Sequence, residues 1–71
     1  YTVEKAAFVQ ITVFDGNGRM IRQVDQGFRG PGLHSTIWNG ADFDGNTCSP
    51  GLYLCHIQVD DKIEVVKIMK R

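Results

Sequence analysis

The sequence predicts an all-β fold, a small antiparallel β-sandwich of about six strands, on three observations. Apolar residues alternate with polar ones in several short segments. Turn-forming residues separate those segments roughly every ten residues. No stretch carries apolar residues at helical spacing. Without a crossover helix the strands cannot run parallel. Two antiparallel layers packed face to face then bury the alternating apolar faces.

The elements follow in order. Residues 8–14 read Phe-Val-Gln-Ile-Thr-Val-Phe, which puts Val9, Ile11 and Val13 on one face and Gln10 and Thr12 on the other. Asp15-Gly16-Asn17-Gly18 is a strong hairpin signal, because Gly and Asn accept the positive φ of tight turns. The return strand, residues 19–24, offers Ile21 and Val24 to the core. Their uneven spacing predicts a bulge or a short strand. Residues 25–33 are rich in Gly and contain a Pro, so they read as a loop. Residues 34–38 alternate again, with His34, Thr36 and Trp38 on one side, and Asn39-Gly40 closes that segment. Trp38, the only tryptophan, is the expected core anchor.

Residues 41–51 form a second polar connection. Residues 52–59 are the next strand, with Tyr53, Cys55, Ile57 and Val59 on one face and Leu54, His56 and Gln58 opposite. A short turn at residues 60–62 leads into the last strand, residues 63–70. That strand carries apolar residues on both faces. It is therefore either covered on both sides or exposes part of one face to a partner. Residues 1–3 can add a short edge strand. The expected core is Val9, Ile11, Val13, Trp38, Tyr53, Cys55 and Ile57. The expected turn glycines are Gly16, Gly18, Gly40, Gly45 and Gly51.

Size and charge narrow the function classes. The chain is 71 residues long, which is one domain spanning residues 1–71. A chain of this size leaves little room for a deep pocket. Eight basic residues balance eight acidic ones, which argues against nucleic acid and against a polybasic membrane anchor. No apolar run is long enough to insert in a bilayer as a helix. The chain opens on Tyr1 without an initiator Met, so it is expected to be a piece excised from a longer polypeptide, and the absence of a signal segment here says nothing about compartment.

Chemistry-bearing residues are few. Asp42, Asp44 and Asn46 are spaced like the start of a calcium loop. Thr47 stands where such a loop wants Gly and Tyr53 where it wants Glu, so a plain turn is the better reading. His56 follows Cys55 directly and points to the other face of its strand, which argues against a shared metal with His34. Ser35, Ser49, Cys48 and the two histidines show no nucleophile–base–orienter spacing. Gly16, Gly18, Gly30 and Gly32 precede no helix and so form no phosphate cradle. No catalytic residue, metal or cofactor is expected. Cys55 reads as a small core residue and Cys48 as a loop thiol, with a local bridge between them left open.

Several patterns occur together: Ile11-Thr-Val-Phe14-Asp15 followed by Gly18 and Ile21, Gly32-x-His34-x-Thr36-x-Trp38-Asn39-Gly40, Asp42-x-x-Gly45, Ser49-x-Gly51-x-Tyr53, and a final apolar strand bearing Lys67 and Lys70. In order and spacing the chain resembles the Ig-like domain of the flagellar hook-capping protein. It is also similar to the type A C-terminal sorting domains of the bacterial type IX secretion system. Trp38-Asn39-Gly40 stands where Trp-Asp-Gly is usual, and Cys48 and Cys55 are departures too. The resemblance implies an immunoglobulin-like sandwich with Trp38 and Tyr53 paired across the core. The Ser49-x-Gly51-x-Tyr53 segment followed by a strand, and the Lys-bearing last strand, favour the sorting-domain branch, which implies a non-catalytic C-terminal module directing a secreted bacterial protein through the type IX pathway to the cell surface. The secretion machinery would then read the last strand, with Lys67, Lys70 and Arg71 as the recognition residues. In the hook-capping branch it implies a structural spacer or scaffold whose partners are neighbouring domains. A third expectation, a carbohydrate-binding sandwich, would use loop aromatics such as Phe28 or Phe43.

Overall fold

A computed structural model describes all 71 residues. It is all β, with no helix. The strands are β1 (Thr2–Val3), β2 (Ala7–Asp15), β3 (Met20–Arg29), β4 (Gly32–Leu33), β5 (Gly51–Val59) and β6 (Lys62–Lys70). Four of them form an antiparallel sheet in the order β3-β2-β5-β6, and β1 pairs antiparallel with β4 in a second, two-stranded sheet. This is a small immunoglobulin-like β-sandwich with one full layer and one sparse layer.

The core lies on the face of β2 and β5 that carries the odd-numbered residues. Val9 pairs with Val59, Ile11 with Ile57 and Val13 with Cys55, so their side chains share that face. Val9, Ile11 and Val13 are fully buried, Tyr53 and Cys55 are buried, and Ile57 is half-buried. Val3 enters from the second layer, 1% exposed, and packs with Ala7, Val9, Ile11 and Cys55. Only 10 of 71 residues are buried, so each of these contacts carries a large share of the hydrophobic stabilisation.

The rest of the second layer is loop. A small hairpin closes through Cys48 N–H to the Gly40 carbonyl at 2.9 Å and a bridge between Ala41 and Thr47. It buries Gly40 and Ala41 over the end of the sheet.

Three expectations are corrected. First, residues 25–29 are not loop: β3 continues to Arg29, pairing Phe28 with Phe8 and Arg29 with Ala7. The nine-residue β2 leaves backbone groups along this edge that β3 satisfies, and backbone pairing outweighs the weak strand preference of Asp-Gln-Gly. Ile21 and Val24 are the residues skipped where the β2–β3 register shifts, so β3 holds two bulges within a long strand. Second, residues 34–38 are not a strand. Tyr1 N donates to the His34 carbonyl at 2.9 Å and His34 N–H to the Tyr1 carbonyl at 2.8 Å, and the ladder ends on that rung. Beyond it no strand runs alongside, and Ile37 is 90% exposed. Third, Trp38 is half-buried rather than the central anchor. It covers Tyr53, ring centroids 5.1 Å apart, and donates its indole N–H to the Ala41 carbonyl at 2.8 Å.

Candidate functional site

The polar side chains with chemical capacity are bonded to the chain's own turns. Asp15 accepts backbone N–H from Asn17 and Arg19, each at 2.9 Å, on Oδ1, and Arg19 Nε at 3.2 Å on Oδ2. These bonds, the Arg19 N–H foremost, hold its carboxyl below the usual 3.8 against a smaller opposing effect of burial. Asp42 repeats the arrangement: its Oδ1 accepts N–H from Asp44 and Asn46, each at 3.0 Å. The backbones agree as well. Gly18 N–H donates to the Asp15 carbonyl and Gly45 N–H to the Asp42 carbonyl, both at 3.1 Å, with φ of 84° at Gly18 and 83° at Gly45.

Both segments are therefore the same three-residue hairpin loop, a turn followed by one left-handed glycine, with an Asp side chain bonding two amides. Asn17 does not adopt positive φ. The Asp42-x-Asp44-x-Asn46 spacing is thus explained by turn chemistry: Asp42 Oδ1 serves two backbone donors of its own loop.

Tyr53 has a role that the sequence reading missed. Its hydroxyl donates to the Ser49 carbonyl, four residues upstream, at 2.5 Å. This is a tyrosine corner, the device by which sandwich domains tie a strand entry to the preceding loop. The Ser49-Pro-Gly-x-Tyr53 spacing carried the signal. Burial raises the Tyr53 pKa above its ordinary value, and the charges of Cys48 and Asp15 raise it further. Cys48 and Cys55 are both free, and burial pushes the Cys55 thiol up.

His34 Nε2 lies 2.7 Å from the Gly30 carbonyl, with its ring stacked on Tyr1. His56 packs against Phe14 on the opposite face of the sheet, ring centroids 4.5 Å apart. The two histidines therefore stand on different layers, and no three His, Cys, Asp or Glu side chains meet in metal-binding geometry. Of the other expected turn glycines, Gly16 lies in the first hairpin loop and Gly51 opens β5. Gly40 is buried at φ 80°, with the Lys70 stem over it. Phe28 and Phe43 are exposed on separate elements, Phe28 edge-on to Phe8 at 5.4 Å.

A hollow of about 530 Å³ opens where the two-residue β1 fails to reach across to β6. Its floor includes Ala7, Ile57 and Val59, and Glu4, Lys5, Asp61 and Lys62 give its rim mixed charge. The larger surface feature is β6 itself. It is one edge of the four-stranded sheet and exposes Ile63, Val65, Val66 and Met69, along with Lys67 and Arg71, while Lys70 is half-buried.

Against known proteins, the family model described as the FlgD Ig-like domain matches residues 1–62. No curated protein and no solved structure matches the chain. The matched span takes in β1 to β5 and stops where β6 begins. The chain therefore belongs to the FlgD Ig-like domain family and is a structural, immunoglobulin-like module of the hook-capping type.

Proposed function

We propose that the module works as a spacer or scaffold domain within a larger extracytoplasmic bacterial protein, with neighbouring domains of that protein as its partners. The observation that carries this reading is where the polar groups go. Asp15, Asp42, His34 and Tyr53 all bond backbone of the loops that join the strands, so the groups able to do chemistry instead hold the connections in shape. A rigid sandwich held in this way suits a mechanical and positional role. The test replaces residues 1–71 in the parent protein with an unrelated Ig-like domain of similar length. Retained export and retained activity are expected; loss of either overturns the reading.

A second reading, sorting through the type IX pathway to the cell surface, is favoured by one observation. Strand β6, with Lys67, Lys70 and Arg71 at its end, lies almost wholly beyond the matched span and forms an accessible sheet edge. On this reading the domain is the C-terminal module of its parent. Lys67→Ser with Arg71→Ser leaves the core untouched, since both side chains are exposed. Export lost in a type IX-competent host, with the thermal midpoint unchanged, supports sorting; normal export of the double variant removes it.

A further inference from the structure

We propose that β6 pairs antiparallel with β6 of a second copy of this chain, joining two four-stranded sheets into one. The two edges of the sheet differ. The β3 edge is interrupted by bulges at Ile21 and Val24, a device that blunts edge pairing. The β6 edge has none. Its register with β5 runs unbroken from Gly51–Lys70 to Val59–Lys62, so its outer backbone groups form a regular template nine residues long. Ile63, Val65, Val66 and Met69 stand exposed along it, on both faces.

The sequence of β6 selects a second copy as occupant, and it selects the register. An antiparallel pair about a two-fold axis keeps the faces of the sheet aligned, so facing residues have the same parity. With Lys67 on the axis, Glu64 faces Lys70 twice and Val66 faces Ile68 twice on the core side. On the other side Val65 faces Met69 twice. Shifting the axis to Val66 sets Lys62 against Lys70, Glu64 against Ile68 and Val65 against Lys67. Shifting it to Val65 sets Lys62 against Ile68 and Ile63 against Lys67. Of these three registers, only the first sets opposite charges face to face within β6, and it pairs the apolar residues Val65, Val66, Ile68 and Met69 with one another. Its conflicts are Ile63 facing Arg71, at the end of the strand, and Lys67 facing itself; in both the long stems let the charged groups swing out into water.

The interface is a strand edge and therefore weak, so the test is sedimentation equilibrium of the chain from about 10 μM to about 1 mM. A monomer–dimer equilibrium is expected. Glu64→Lys alone and Lys70→Glu alone should each weaken it by about tenfold or more, because each change acts twice in the symmetric pair. The combination Glu64→Lys/Lys70→Glu should restore it, and Lys67→Thr should tighten it severalfold. Lys70 lies over Gly40, so circular dichroism checks the fold of each variant. Glu64→Lys, at an exposed site, keeps the test valid if Lys70→Glu is destabilised. A chain that stays monomeric throughout, a dimer indifferent to Glu64→Lys, or a folded double variant that fails to recover overturns the proposal.

Discussion

Val3→Ala tests whether the sparse second layer holds the sandwich closed. Val3 is 1% exposed and is the residue through which β1 and β4 reach the core cluster of Ala7, Val9, Ile11 and Cys55. Removing two buried methyl groups costs about 1.6 kcal/mol in transfer free energy, and the unfilled space adds about another 1 kcal/mol. The total, about 2–3 kcal/mol, compares with about 4–10 kcal/mol for the whole stability of a domain this size. The thermal midpoint should fall by about 10–20 °C, since 1 kcal/mol moves a small domain by about 4–8 °C. Far-UV circular dichroism melting measures it, with urea unfolding as a check that the m-value is unchanged. Thr2→Ala, at an exposed neighbouring position, is the control and should move the midpoint little. A drop below about 3 °C for Val3→Ala would mean that β1 does not plug the core, and the two-layer account would fail.

Three further outcomes are expected. Gly18 and Gly40 both have φ near 80°, but a Cβ at Gly18 meets open space whereas one at Gly40 meets the Lys70 Cε at 2.8 Å. Gly18→Ala should cost about 1–2 kcal/mol from left-handed backbone alone, and Gly40→Ala more; equal costs in urea unfolding would show that the Lys70 stem simply moves aside. The Asp15 carboxyl is held below 3.8 in the fold, so the unfolded chain takes up its proton first as pH falls. Its stabilising effect is complete above pH 3.8 and is lost as pH drops through the lower folded value. Asp15→Asn should flatten the acid limb of the stability curve there, and an unchanged limb refutes the assignment. Cys55 is buried with its thiol pushed above 9.0, whereas Cys48 is half-buried in a loop. A thiol reagent at neutral pH should modify Cys48 about tenfold or more faster than Cys55, read by mass spectrometry of peptides; comparable rates would place Cys55 outside the core.

What the sequence determined by itself was local. Alternation at residues 9–13 and 53–59 sets which side chains share a face, because successive side chains on an extended backbone must point to opposite sides. The Asp-x-x-Gly pairs at Asp15–Gly18 and Asp42–Gly45 define their turns through bonds that span four residues or fewer. The order of its motifs pointed to two similar families and favoured the sorting domains, whereas the family match supports the hook-capping one.

Only the tertiary structure decided which extended segments find a partner. Residues 34–38 alternate as well as any strand, yet pairing stops at the Tyr1–His34 rung. Residues 25–29 look like loop, yet the long β2 draws them into the sheet. A strand is a property of two segments held together by hydrogen bonds between them, and those bonds have no trace in either segment alone. The same reason hid the burial of Val3. Its neighbours come from β2 and β5, so its place in the core exists only once the two layers meet.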